Sequence, residues 1–366
     1  MIAPITERRI SAGSPSLRGN EVLYVNTVLA AGWLTMGYYV KEFEAAFAAY
    51  VQAKYAFATS NGTSALHLML AAHGISIGDE VITTACTFIA TANAIAYCGA
   101  TPIIVDVEPN TWNIDPVLVE NAITYRTKAI LVVHLYGNPV NMQRINAIAD
   151  RHNLLVFEDC AEALGARIHG KHVGSFGAAA AYSFYGNKTI TTGEGGMVTT
   201  NDDHIAERIK LLRGQGQTPG ARYWHEVVGF NYRLTDLQAA VGLAQLEQVD
   251  EILRRRQEVV HAYREIWHSN WRMQGIVAGA IHGNWAFAVS IPDITAAQVM
   301  AEMADRGIET RPIFPPLNLQ DPYWDAEPRP VADELHETGI VLPTTAEMTP
   351  DDAKYVMSVL NEVVNS

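Results

Sequence analysis

Lys188 is the residue whose neighbours most suggest chemistry. It sits in the run Tyr182-Ser183-Phe184-Tyr185-Gly186-Asn187-Lys188-Thr189-Ile190-Thr191-Thr192-Gly193-Glu194-Gly195-Gly196-Met197, where small, hydroxyl and aromatic residues dominate. Partial burial disfavours a charged ammonium and leaves an amine able to attack a carbonyl. A phosphate-loop reading fails, because that motif needs Lys directly after Gly and Asn187 intervenes. An isolated lysine on such a loop would be an ordinary surface residue. Asp159 follows the apolar run Leu154-Leu155-Val156-Phe157. A carboxylate at the end of a central strand is desolvated and needs a cationic partner: a metal, an arginine or a protonated ring nitrogen. No His, Asp or Glu cluster at ligand spacing supports the metal, and a turn-capping aspartate is the plain alternative. Ser60-Asn61-Gly62-Thr63-Ser64 opens a helical stretch. Free N–H groups at a helix start favour an anion, although such residues also serve merely as caps. Phe88 supplies an aromatic face.

Together these four parts match what pyridoxal 5'-phosphate requires. Its phosphate needs N–H and hydroxyl donors, its ring nitrogen a carboxylate, its aldehyde an amine, and its ring face an aromatic or apolar neighbour.

The elements that would position these residues alternate along the chain. Short apolar runs at 55–59, 81–84, 102–106, 129–133, 154–157, 180–184 and 197–200 read as strands. Helix-period segments such as 63–73, ended by Gly74, and 142–152 lie between them. This pattern predicts an α/β protein with a mostly parallel seven-stranded sheet and helices on both faces. Ligands of such sheets collect beyond the carboxyl ends of the strands, where Ser60, Phe88, Asp159 and Ser183 fall. A helix should start at Thr235, in capping-box spacing with Gln238, and run to about 257. The expected division is a large domain over residues 1–250 and a smaller C-terminal α/β domain over 251–366. The latter carries a strand near 285–291, a helix near 296–306 and a Pro-rich stretch at 311–316.

Composition narrows the function. With 26 Lys+Arg against 39 Asp+Glu the net charge is −13, which argues against a nucleic-acid binder. Arg254-Arg255-Arg256 reads as a solvated helix face beside Glu251. No run reaches the roughly 18 apolar residues of a membrane span, and the first residues lack the apolar core of a signal peptide. Three cysteines without metal or redox spacing point to small buried hydrophobes in a reducing cytoplasm.

The chain resembles the DegT/StrS-type nucleotide-sugar aminotransferases, of PLP fold type I (aspartate aminotransferase-like). The resemblance runs from Ser14-Pro15-Ser16-Leu17 and Gly32-Trp33-Leu34 through Ser60-Asn61-Gly62-Thr63-Ser64-Ala65-Leu66-His67, His134-Leu135-Tyr136-Gly137 and Glu158-Asp159-Cys160-Ala161-Glu162-Ala163. It continues through the Lys188 segment, Gly214-Gln215-Gly216, Tyr223-Trp224-His225, Gly229-Phe230-Asn231-Tyr232-Arg233 and Glu309-Thr310-Arg311-Pro312. It implies that Lys188 bonds the cofactor aldehyde and shuttles protons, and that Asp159 pairs with the ring nitrogen. Gly62, Thr63 and Ser183 would hold the phosphate, joined by Asn231 from the other subunit of a homodimer. Phe88 would stack on the ring, and Glu162 would lie near its phenolic oxygen. Tyr223, His225 and Arg311 are candidates for contact with substrate. The implied partners are L-glutamate and a nucleotide-linked 4-keto-6-deoxysugar, GDP-linked by resemblance of the Lys188 and 223–233 segments, with pyridoxamine phosphate formed between two half-reactions. The product would enter surface-polysaccharide or antibiotic glycosylation. Pro315-Pro316-Leu317-Asn318 departs from the Tyr-Pro-x-His often found there. A sister branch of sugar dehydratases carries His in place of Lys188, so the lysine favours transamination. A UDP- or dTDP-linked acceptor, a dehydratase, and a binding protein that kept the fold are the alternatives.

Overall fold

The computed structural model describes residues 9–218, 220–267 and 270–365. All seven expected strands form, within one or two residues of their expected ends. They are β1 (Tyr55–Thr59), β2 (Glu80–Thr84), β3 (Thr101–Val105), β4 (Thr127–Val133) and β5 (Leu155–Asp159). A ribbon of β6 (Arg167–Ile168) and β7 (Lys171–His172) leaves the sheet before β8 (Ala179–Ser183) and β9 (Gly196–Thr200). The sheet order is β1-β9-β8-β5-β4-β2-β3. β9 runs antiparallel to both neighbours and the other pairings are parallel. Residues Ala129, Ile130, Leu131, Val132 and Val133 are all buried, which is why β4 reads as a continuous apolar run rather than an alternation.

Helices cover both faces. On one, Tyr38–Val51 and Asp236–Glu247 pack together and bury Phe43 and Phe47 against Tyr182 and Phe184. On the other, Gly62–Ala72 lies across β8 and β9, with Leu66, Met69, Leu131 and Phe157 in its core.

The helix at Thr235 forms with the expected capping box but ends earlier than the sequence suggested. It spans Asp236–Glu247, and a second helix, Val249–Glu265, begins after Gln248. The two halves serve different cores, so one straight rod could not bury both. Val249 and Ile252 belong to the core under the large sheet, whereas Val259, Val260 and Tyr263 belong to the C-terminal one. That second core packs helices Val249–Glu265, Ala296–Asp305 and Pro350–Asn365 on an antiparallel sheet of β10 (Arg272–Met273), β12 (Phe287–Ser290), β14 (Gly339–Leu342) and β13 (Arg311–Pro312), while β11 (Ala280–Ile281) joins the ribbon. A further cluster, including Cys86, Trp112, Tyr136, Ala286, Ile313 and Val341, joins the two parts.

The arginine run is a correction. Arg254 and Arg255 pair with Glu251 at the surface, but Arg256 is buried and donates to the carbonyls of Trp285 and Thr344. The helix turns by about 100° per residue, so a run of three sweeps too far round to stay on one exposed face, and Arg256 turns inward. Cys86 and Cys160 are buried, Cys98 is half-buried, and all three are free thiols. Among the described residues no helix is long and apolar enough to cross a membrane.

Candidate active site

A cavity of about 800 Å³ opens at the rim of the large sheet. Val133, Asp159 and Ser183, the last residues of β4, β5 and β8, all line it. Helix Gly62–Ala72 points its N-terminus into the same space. Asn61 caps that helix by accepting from the Ser64 amide at 2.8 Å. The amides of Gly62 and Thr63 lie in the first turn, where no intrahelical acceptor exists and an anion is favoured. A side chain at Gly62 would come within 2.8 Å of Ser183 Cβ, so only glycine lets the helix end approach the end of β8.

Asp159 is buried. Its Oδ2 accepts from the Thr91 hydroxyl at 2.8 Å and its Oδ1 from the Ala161 amide at 3.0 Å. Burial raises its pKa above the ordinary aspartate range, against the lowering effect of those two bonds and of Lys188. Glu162 is also buried; burial raises its pKa, opposed by the charge of Lys188. Its Oε2 accepts from the Tyr136 amide at 2.9 Å, and its Oε1 lies 3.3 Å from Lys188 Nζ. Lys188 extends from the loop after β8 with a side chain only 13% exposed. Its amine also lies over the indole of Trp285, 4.0 Å from the ring centre.

The C-terminal part supplies the facing wall. Trp285, Arg311, Phe314 and Val341 all line the cavity. Phe88 is 57% exposed, its ring 6.0 Å from Phe314 and open to the cavity. Arg311 lies 3.5 Å from Glu309 and packs beside Gly13.

Of the expected site residues, Gly62, Thr63, Phe88, Asp159, Glu162, Ser183, Lys188 and Arg311 therefore meet in one cavity. Asn231, Tyr223 and His225 do not line it. The segment through Tyr232 runs beside Thr59, and Ser60 donates its amide to the Tyr232 carbonyl. Alternation along extended chain sends Tyr232 into the cavity, while exposed Asn231 turns outward and accepts from Arg233. Tyr223 is 77% exposed, and His225 is exposed with its Nδ1 3.0 Å from the Gln215 carbonyl oxygen. Asn318 is buried outside the cavity, where its amide donates to the Glu327 carbonyl.

Sequence reasoning missed Thr91, Tyr136 and Trp285. Thr91 lies three residues after Phe88, in the first turn of helix Ala90–Tyr97, and nothing in its spacing marks a bond to Asp159. Tyr136 falls in a matched motif, and its φ of 58° is the signal only a structure gives. Trp285 opens an expected strand, where its local sequence predicts burial rather than contact with Lys188.

The donor set fits pyridoxal 5'-phosphate. Asp159 forms no ion pair among the described residues and stands ready for a cationic ring nitrogen. The helix end and Ser183 form an anion cradle, and Lys188 offers an amine. A buried, unpartnered Asn187 Oδ1 adds an acceptor at the cavity wall.

The sequence profile of the DegT/DnrJ/EryC1/StrS aminotransferase family matches residues 15–361. A protein from Caulobacter vibrioides named GDP-perosamine synthase is 46% identical over 97% of this chain and 98% of its own length. One of the same name from Escherichia coli O157:H7 is 44% identical over 95% of this chain and 96% of its own. Among solved structures, S. venezuelae DesV in complex with a ketimine intermediate superposes with a TM-score of 0.92 at 33% identity, covering 98% of this chain and 99% of that one. The sugar aminotransferase Spr1654 from Streptococcus pneumoniae in its PMP form, itself described as putative, gives 0.94 at 26% identity, covering 98% of both chains. The chain thus belongs to the DegT/DnrJ/EryC1/StrS aminotransferase family and is a pyridoxal-phosphate-dependent sugar aminotransferase.

Proposed function

We propose that the cavity transfers an amino group from L-glutamate to the C4 ketone of GDP-4-keto-6-deoxy-D-mannose, giving GDP-perosamine. The convergence of Lys188, Asp159 and the N-terminus of helix Gly62–Ala72 on one cavity carries the amino-transfer part. The acceptor rests on the names of the two full-length relatives, at 46% and 44% identity.

When bound, the cofactor supplies an electron-withdrawing ring and carries the amino group from donor to acceptor. Asp159 would keep the ring nitrogen protonated, held in aim by Thr91 and Ala161. Gly62, Thr63 and Ser183 would bind the phosphate and Phe88 would cover the ring. Lys188 Nζ would take the proton from the donor's α-carbon and pass it to the cofactor carbon that bears the amino group, and would make the reverse transfer for the acceptor. Glu162 would hold the lysine when it is free. Arg311 would meet an anionic part of substrate. Outward-facing Asn231 would reach the phosphate of a second copy, making a homodimer with shared sites, and Tyr223 and His225 would approach that neighbour's sugar. In this reading residues 1–250 hold the cofactor, residues 251–366 cover the substrate, and the enzyme works in the cytoplasm on a water-soluble nucleotide sugar.

The test is incubation with glutamate, read by 2-oxoglutarate release, and then with GDP-, UDP- and dTDP-linked keto-sugars, read by mass spectrometry. A UDP or dTDP compound used with higher kcat/KM would replace the acceptor and leave amino transfer standing. Absence of 2-oxoglutarate would overturn the whole reading. For the shared site, a heterodimer of Lys188→Ala and Asn231→Asp chains should regain activity, because one of its two sites keeps both native groups. No activity above either inactive parent would place Asn231 elsewhere.

A further inference from the structure

We infer that Trp285 is a positioning residue for Lys188: its indole face holds the free ammonium beside Glu162 whenever the amine is not bonded to the cofactor. This rests on the reading of Lys188 as the catalytic lysine. Lys188 Nζ sits 4.0 Å from the centre of the indole ring and 3.3 Å from Glu162 Oε1, so two contacts restrain it. A lysine side chain has four rotatable bonds, and its free amine would otherwise sample much of the cavity.

The grip is itself anchored. Trp285 donates its indole N–H to the carbonyl of Asn187, the residue before the lysine, at 2.9 Å. Its own carbonyl accepts from the buried Arg256 guanidinium at 2.9 Å, and the same Nη1 also binds the Thr344 carbonyl. Arg256 belongs to the helix that links the two cores and has no carboxylate partner among the described residues; burial lowers its pKa to about 10. A guanidinium kept in such a place without a counter-charge needs those carbonyls, which fixes Trp285 from behind. Tyr136 closes the loop. Its ring stacks on Trp285 at 6.2 Å and its amide holds Glu162 at 2.9 Å. Lys188, Trp285, Tyr136 and Glu162 thus form one ring of contacts, with Trp285 contributed by the C-terminal part of the chain.

Two variants separate the indole face from its N–H. Trp285→Phe keeps an aromatic face and loses the bond to Asn187, whereas Trp285→Leu loses both. In cofactor-free protein, Lys188→Met should raise tryptophan emission, because a protonated amine against an indole quenches its excited state. The same change in a Trp285→Phe background should leave emission unaltered. In the loaded enzyme, Trp285→Leu should slow the glutamate half-reaction about three- to thirtyfold, the range of a partly desolvated cation–π contact. The half-saturating glutamate concentration should stay within about twofold, and Trp285→Phe should recover most of the rate. Emission that ignores Lys188 in both backgrounds would overturn the inference. So would a Trp285→Leu enzyme of unchanged rate, or equal losses in the Leu and Phe variants. If Trp285→Leu does not fold, the emission comparison in the Phe background still decides. Emission coupling in a protein that never releases 2-oxoglutarate would support the indole contact and overturn the amino-transfer reading instead.

Discussion

Glu158 and Asp159 are neighbours on β5, and the chain treats their carboxylates in opposite ways. Strand alternation sends Glu158 to the side of Val156 and Asp159 to the side of Phe157. Glu158 accepts from the amides of Gly174, Phe176 and Gly177 at 2.6, 2.7 and 2.6 Å, and faces His134 Nε2 at 3.1 Å. His134 Nδ1 accepts from the Val140 amide, which places the ring proton on Nε2. Although His134, Glu158 and Cys160 cluster closely, the His134 and Glu158 ligand atoms are already engaged in these bonds. Asp159 has two donors and an open cavity beyond them. A saturated buried carboxylate holds a fold together, whereas an undersupplied one is costly until a cation arrives.

Four substitutions test that contrast, from the largest expected effect to the smallest. Glu158→Ala strands three backbone N–H groups and the His134 proton. It should cost roughly 4 kcal/mol or more in stability, read by denaturant unfolding or by failure to obtain soluble protein. A mild loss would mean that water replaces the carboxylate, and the contrast would fail.

Asp159→Asn should leave the fold intact and cut turnover at least roughly a hundredfold, about 3 kcal/mol in barrier. Near-normal kinetics would remove Asp159 from the chemistry.

The same variant should stabilise cofactor-free protein by roughly 1–2 kcal/mol at neutral pH, since it removes a buried charge without a counter-ion. The sign comes from burial raising the carboxyl pKa in the folded state. Below the ordinary aspartate range the carboxyl is protonated in both states and costs nothing. As pH rises from there through the raised pKa, the folded protein loses stability that the Asn variant keeps. Melting curves of both proteins should therefore diverge with rising pH, and parallel curves would refute the burial argument.

Thr91→Val removes one donor and keeps the side-chain shape. A loss of about 1 kcal/mol in transition-state stabilisation, or several-fold in kcat, is expected, with a stability loss of about 1–2 kcal/mol because Asp159 and the buried Thr87 hydroxyl each lose a partner. A Thr91→Ser variant should recover most of it.

Asn61-Gly62-Thr63, Asp159 and Lys188 were legible in the sequence because each lies just beyond an apolar run whose period announces a strand. The rim of a parallel sheet gathers the residues at the carboxyl ends of its strands. The seven strands, the glycine that opens helix Gly62–Ala72 and the capping box at Thr235 belong to the same class. They are set by local chemistry: side-chain pattern, backbone freedom and capping.

What the tertiary structure decided is what meets across long separations in sequence. Trp285 reaches Lys188 over 97 residues, by the numbering of the pair, because two cores are joined by a helix that breaks at Gln248. Tyr136 holds Glu162 only because its backbone turns left-handed at that point. Arg256 is buried while Arg254 is not, because the helix presents one to the C-terminal core and the other to water. Asn231 faces outward in its own chain because strand-like alternation assigned the inward position to Tyr232. Local sequence fixes which groups are offered at the ends of elements. Packing between distant elements fixes which of them touch, since contact depends on where two cores can be closed against each other.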